Sequence, residues 1–454
     1  MSSSNRSLYD PSYLNFAPRI SVAYSPTNKL VVRSGFGTFY VSNYPLWSLP
    51  TQGFSQSTPY VGTVNGVVPV NTLSNPYPSG LILPLGSSLG GLTNVGQSIT
   101  AVGRTRSSPY VEQWSFSTQY AFTANDIFEL SYFGNHGLKL AFNDIQRNQL
   151  NPQYLSLGNA LLSPVRNPFY GVISSSSCGL NQPTVPYAQL LRPYPQYCGV
   201  DELQPLGASS WYHAMTVQYN HRFSHGLQAL ASYTWSKYLD NSQGMQQWVS
   251  GPASSVTNWY NLAAQKSVDA NDVPHSLVLS FVAELPFGKG KAVGSNWGRV
   301  ANAVAGGWQL SGVTSFKSGL PLGIYASTNN TNSFGGGQRP NIIGDPSAVP
   351  PGTDRVNGWF NKAAFAQPAP FSFGNASRFL SYPRGPGLQN IDLGLNKNFH
   401  LVERLTIQFR AEFFNALNRA NFYLPNTAFG DPSFGTVSQA LPARDIQFGL
   451  KVLW

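Results

Sequence analysis

A chain of 454 residues with only 10% charged side chains falls well short of the roughly 25% found in ordinary soluble globular proteins, yet its 13% of aromatic residues argues against disorder, which favours charge and few aromatics. With 43 glycines and 34 prolines it does not read as a helical bundle, and no apolar run reaches the about 18 residues of a transmembrane helix; the nearest, residues 81–92, is interrupted by Pro84, Gly86, Ser87 and Ser88. The net charge of +10 is scattered, with no run of four basic residues, which reads as a weakly basic polar surface rather than a nucleic-acid footprint.

What the chain does show, from end to end, is alternation of apolar and polar residues with period 2, the mark of strands with two different faces. In chain order the predicted strands are 19–25, 30–40, 110–122, 126–134, 211–223, 226–238, 274–285, 307–318, 389–399, 404–415 and 444–454. In 226–238 the apolar face is Leu227, Ala229, Ala231, Tyr233 and Trp235, with Leu230 out of pattern. In 404–415 Leu405, Ile407, Phe409, Ala411 and Phe413 oppose Thr406, Gln408, Arg410 and Glu412. The last strand puts Ile446, Phe448, Leu450, Val452 and Trp454 on one side, with Leu453 the exception on the other. Most of these ladders have the length of a tilted strand crossing a bilayer, about 9–11 residues, rather than the mean of about 5–6 in soluble proteins.

The connections alternate in length. Residues 26–29, 123–125, 224–225 and 400–403 are short, and 286–306 is a longer exception. Residues 41–109, 135–210, 239–273, 319–388 and 416–443 are long and rich in Pro, Gly, Asn and Ser. Tight turns at one end and long loops at the other are the pattern of an outer-membrane barrel. Tyr40, Trp114, Trp211, Trp235, Trp308 and Trp454 lie near strand ends, as interfacial aromatic girdles do. The expected fold is all-β: an antiparallel up-and-down transmembrane β-barrel, open and partial, with about 11–14 strands.

Ordered segments carry a family resemblance: NFAPRISVAY at 15–24, RSGFGTFY at 33–40, PYVEQW at 109–114, RFSHGL at 222–227 with ASYTWSK at 231–237, DVPH at 272–275, ELPFGKG at 284–290, RGPG at 384–387 and QFRAEFFN at 408–415. Taken together they resemble the C-terminal barrel of Oar-like TonB-dependent receptors of the bacterial outer membrane. That resemblance implies a single barrel domain over 1–454 and import of a large solute, an oligosaccharide or a metal chelate, without catalysis or cofactor. It implies as partners the outer-membrane lipid and lipopolysaccharide, the barrel-assembly machinery and, only through a plug segment missing here, the TonB complex. An adhesion or structural barrel presenting long loops is the alternative. Such receptors carry a signal peptide, a regulatory-like domain and a plug ahead of a barrel of about 22 strands. Residues 1–16 have no apolar signal core, so the protein is either cytosolic or lacks its N-terminus. If Trp454 ends in the periplasm, eleven alternating strands leave 1–18 as the tail of an outer loop. An odd strand number cannot close with every neighbour antiparallel, so a C-terminal fragment with two free edges is expected.

Motifs for chemistry are weak. Gly86-Ser-Ser-Leu-Gly90 matches G-x-S-x-G but lacks the strand and helix that form a nucleophile elbow. His221 and His225 have zinc-like spacing, which needs a helix; here they flank a turn with no acidic residue nearby in sequence, while His213 lies too far along the same strand. No Walker or Rossmann pattern occurs, and the Asn-rich segment 329–332 reads as a polar loop tip rather than a calcium loop. Two cysteines exclude a disulfide scaffold or a four-cysteine zinc site. Cys178 and Cys198, in one long loop facing an oxidising exterior, are expected to be bonded, a closure worth roughly 3 kcal/mol. Arg222, Lys317, Asp392, Arg410, Glu412 and Lys451 fall on polar strand faces. On the lipid side Arg or Lys would cost about 2–4 kcal/mol each, so these residues are expected to face the lumen. Phe448 and Trp454 on the final strand are the expected assembly signal.

Overall fold

The computed structural model describes residues 10, 12–41, 51, 53–242, 255–402 and 405–454. Each predicted strand forms. They are β1 (Arg19–Thr27), β2 (Leu30–Tyr40), β3 (Tyr110–Ala121), β4 (Asp126–Ala141), β5 (Leu206–Ser224), β6 (Leu227–Asp240), β7 (His275–Glu284), β8 (Trp308–Lys317), β9 (Leu388–Val402), β10 (Leu405–Phe414) and β11 (Asp445–Leu453). They line up in one sheet in strict chain order, and short Ser267–Val268 pairs off this path with β6. Every consecutive pair is antiparallel. Strands β1 and β11 pair on one side only, so the sheet is open.

Strict antiparallel order sends successive connections to opposite ends. The long ones, between β2 and β3, β4 and β5, β6 and β7, β8 and β9, and β10 and β11, therefore all leave from one end. The expected turn at 400–403 and the segment 1–18 lie partly outside the described residues.

Register decides which side chains share a face. One row across the sheet reads Tyr24, Val32, Thr118, Leu130, Val217, Tyr233, Leu277 and Phe316. The neighbouring row on the other face reads Ala23, Arg33, Ser117, Ser131, Thr216, Thr234, Ser276 and Lys317. The sheet is thus apolar on one side and polar on the other along its whole width. Its apolar face stays open: Ile20, Val22, Tyr24, Phe448 and Leu450 are all exposed. An apolar surface of this extent on one side of a sheet marks contact with lipid or another apolar partner.

The packed interior lies in the long connections instead. Leu322, Ile324, Phe360, Phe365 and Phe434 form a cluster joining the β8–β9 and β10–β11 connections. Leu150, Leu155 and Leu161 pack against Phe371 and Phe373 of another connection. Phe142 and Ile145 meet Val256, Trp259 and Leu262. Ser98–Ala101 pairs with Gly199–Glu202, which pairs with Ile145–Gln146. Cys178 and Cys198 are disulfide-bonded, with Cα atoms 5.7 Å apart, and Cys198 packs beside Ile173, Leu180 and Val185.

Strand ends depart from the expected ones. β4 continues to Ala141 and β5 starts at Leu206, several residues beyond the expected 134 and 211. His136, Gly137 and Gly207 fall in the expected long connection 135–210. The ladder nonetheless continues through it, with register shifts at Leu206, Ala208 and Ser210 that absorb the irregular residues.

The two-faced sheet generates a direct test. Leu279 sits mid-strand on the apolar face, while Ser315 sits mid-strand on the polar face. Leu279→Arg is expected to lower membrane-folded stability by about 2–4 kcal/mol and Ser315→Arg by less than about 1 kcal/mol. Urea unfolding of the lipid-embedded protein measures both; equal costs would mean the faces are not distinguished by lipid.

Candidate functional site

The polar face gathers most of the charged strand residues expected there. Asp392 lies opposite Val313, Lys317 between Ser276 and Leu388, Arg410 between Asn396 and Gly449, Glu412 between Gly394 and Gln447, and Lys451 opposite Gln408. Asp392, Arg410 and Glu412 are held locally. Asp392 accepts from the Asn390 side-chain amide at 2.9 Å and the Asn415 backbone N–H at 2.8 Å. Arg410 Nε donates to Gln408 Oε1 at 2.8 Å, and Gln447 donates to Glu412. Arg410 and Glu412 form no ion pair with each other. Arg222 stands apart, exposed in the bulge at the far end of β5. Gly394 keeps the face indented: a Cβ there would meet Ser311 Oγ at 2.7 Å. The resulting cavity of about 510 Å³ is bordered by Ser280, Ser311, Asp392 and Glu412.

The connections above are pinned to the sheet end by buried charge. Arg378 donates to the Asp240 carboxylate at the end of β6 and to the backbone carbonyls of Ser242, Gln265 (3.1 Å) and Asp240 (3.1 Å). The two side chains are 2% and 3% exposed. Arg384 bonds the wholly buried Asp272 carboxylate and the Asp272 backbone carbonyl at 2.7 Å. A third buried guanidinium, Arg339, donates to Gln265 Oε1. Burial, reinforced by the like charge of Arg378, pushes Arg339 down to about 10, so it stays charged at neutral pH. Three connections also meet around a second cavity of about 590 Å³, walled by Arg147, Tyr194, Glu202, Trp259, Tyr260 and Gly103.

On the apolar face, register places Tyr40, Trp114, Trp211 and Trp235 toward the long-loop end and Trp308 toward the other. Sequence reasoning missed Lys397, which sits on this face opposite Trp308 and Phe409. Its ammonium reaches the carbonyls of Val304 and Gly306 at the end of the short helix Arg299–Ala305, where a cation is favoured, and lies over the Trp308 ring at 5.2 Å. No local signal marks it in sequence, because the carbonyls that take its charge lie in the β7–β8 connection, 91 and 93 residues away.

The family described as outer membrane beta barrel domain matches residues 2–447. The chain belongs to this family. It is a protein of the bacterial outer membrane. Solved structures similar to this barrel domain include the outer membrane transporter YddB from Escherichia coli, with 9% identity, TM-score 0.40 and 93% of this chain covered against 38% of that one. The FrpB iron transporter from Neisseria meningitidis gives 11%, 0.41, 96% and 39%. The pyoverdine outer membrane receptor FpvA from Pseudomonas aeruginosa gives 9%, 0.37, 95% and 35%. The chain spans less than two fifths of the length of these structures. No curated protein matches.

Several sequence motifs resolve differently in the barrel domain. His221 does have an acidic neighbour: β4–β5 register sets Asp126 opposite it, with Nδ1 to Oδ1 at 2.7 Å. Asp126 also accepts from Tyr219 at 2.7 Å, while His225 sits in the turn at φ 52°. This is a network that closes a turn, and no group of three metal-binding side chains occurs among the described residues. Gly86 and Gly90 adopt φ 61° and 49° in a turn-rich loop, not a strand-to-helix elbow. The Asn-rich segment is no solvated tip: Thr331 and Ser333 are buried, Asn330 bonds the Pro368 carbonyl and Gln338 of its own connection, and the Leu150 N–H of the β4–β5 connection donates to the Ser333 carbonyl at 2.8 Å.

The buried Arg378–Asp240 pair is the clearest test of this site. Removing one partner strands the other charge, so Arg378→Ala is expected to cost about 3–5 kcal/mol. Limited proteolysis should then cut the β6–β7 and β8–β9 connections while the sheet persists. An unchanged digestion pattern would show that the pair does not hold them.

Proposed function

We infer that this barrel domain forms the wall and outer loops of a receptor that imports a large solute across the outer membrane. The observation that carries this is the one-sided polar face, indented around Gly394, continuing from sheet to a layer of interlocked connections at one end. A polar face turned to a lumen gives a solute a wet path, while the apolar face meets lipid. In this reading Lys317, Asp392, Arg410 and Glu412 line the lumen, with Arg222 at its inner rim. They tune its electrostatics and catalyse nothing. Energy coupling to a TonB-type complex belongs to a plug rather than to the sheet, and Phe448 and Trp454 serve the assembly machinery. The resemblance to Oar-like receptors supports the same reading. The adhesion alternative has in its favour the size of the loop layer.

Two measurements test it. Deleting the gene should abolish accumulation of one class of large solute that depends on the proton-motive force. Unaltered uptake together with loss of surface attachment would favour adhesion. Removing residues 448–454 should leave synthesis intact and abolish outer-membrane insertion, read as loss of heat-modifiable migration; a truncated protein that still migrates as a folded barrel would refute the assembly role.

A further inference from the structure

The cavity between the connections preceding β3, β5 and β7 carries a specific arrangement of groups. Its Arg147 donates through Nε to Glu202 and lies over the Trp259 ring at 4.7 Å. The guanidinium is therefore held in one place, and its two terminal nitrogens bond to nothing among the described residues. Glu202 keeps Oε1 unbonded among the described residues, and Gly103 leaves that oxygen room, since a Cβ at 103 would sit 2.6 Å from it. Beside this pair stand Tyr194, 45% exposed, and Tyr260, whose ring centroid is 4.1 Å from that of Trp259. The indole N–H of Trp259 is buried with no acceptor among the described residues.

The chemistry of these groups is complementary to a particular ligand class. Fixed N–H donors next to a free carboxylate oxygen match a vicinal diol, in which one hydroxyl accepts from Arg147 and its neighbour donates to Glu202. Flat aromatic side chains alongside suit the C–H face of a pyranose ring, which buries apolar area without needing charge. Charge decides between the two solute classes. The Arg147 charge is already compensated by Glu202, and an anionic metal chelate would bring its own oxygens against that carboxylate. A neutral polyol pays no such penalty. The cavity, about 590 Å³, falls in the usual range for a small-ligand site, about 300–1,000 Å³.

The geometry points to a neutral oligosaccharide as the solute class, with this cavity as its outer docking site, Tyr194 and Tyr260 stacking on a sugar ring and Arg147 and Glu202 gripping a diol. This rests on the receptor reading above and chooses between the two solutes that it leaves open.

The test uses outer-membrane vesicles carrying the full chain, titrated with fluorescently labelled neutral hexasaccharides of α- and β-linked glucose, β-linked xylose and β-linked mannose, and separately with ferric citrate and a ferric tris-catecholate. At least one hexasaccharide should bind saturably in the micromolar to millimolar range. Glu202→Gln, which keeps the size and removes the negative charge, should weaken it about tenfold or more. Tyr194→Ala should do the same, with Tyr194→Phe restoring most of the affinity because the ring returns. For an anionic chelate the sign reverses: Glu202→Gln would tighten binding. Chelate binding that strengthens in Glu202→Gln, or no saturable response to any hexasaccharide, would overturn the inference. Because heat-modifiable migration is read on the same vesicles, a well-folded protein that binds a chelate and no sugar sinks the saccharide assignment alone, whereas unaltered solute accumulation in cells lacking the gene sinks the receptor reading.

Discussion

Everything in this molecule depends on parity. In an antiparallel ladder a slip of one residue turns a whole strand over, and across this sheet the slip never accumulates. The register shifts sit at strand ends: between Tyr24 and Thr27, between His221 and Ser224, between His400 and Val402, and among Leu206, Ala208 and Ser210. Between them, β1 to β11 keep polar side chains on one face. A mid-strand bulge in β2 would have put Arg33, and one in β8 Lys317, on the same side as Leu130 and Leu277.

The same constraint explains where the buried core lies. A sheet whose apolar face meets lipid and whose polar face meets water cannot bury either side in the protein. Packing is then left to the connections, which supply the aromatic cluster of Phe360, Phe365 and Phe434 and the leucines of Leu150, Leu155 and Leu161. Those connections also bury charge. Desolvating a guanidinium is costly unless it is met by a carboxylate or carbonyls, and Arg378 meets both. Arg378 ties the β8–β9 connection to Asp240 at the end of β6, and Arg384 ties it to Asp272 of the β6–β7 connection.

Much of the fold was legible because alternation is local. Nine consecutive residues such as 445–453 suffice to show two faces, and a short turn such as 224–225 shows which strands are neighbours. The loop layer was not legible, because its contacts join residues far apart in the chain. Arg378 and Asp240 are 138 residues apart, and no spacing rule reaches across that distance. His221 and Asp126 show the intermediate case. Both ends of the contact lie in strands that alternation finds, but the pairing register that sets them face to face is set by the whole hairpin. Lys397 breaks the alternation for a reason that lies in the β7–β8 connection, where helix carbonyls 91 and 93 residues away in the chain collect its charge. The charged residues of the polar face were found because lipid makes the alternative costly, which is a constraint readable from one strand at a time.

Surface loops usually accept insertions and drift freely, but here that freedom is unevenly distributed. Around Asn65 and Gly66 the small hairpin Thr63–Val64 and Val68–Pro69 is exposed and touches little. A peptide spliced in there would extend into open space. Around Ser333 and Gly336 the chain is wedged against Gln149 and Val256 of two other connections, with no room even for a methyl group at Gly336, 2.2 Å from a carbonyl oxygen. Length variation, epitope display and surface diversification are therefore accommodated at open stretches such as this hairpin, while the chain around Gly336 must change together with the connections it is wedged against.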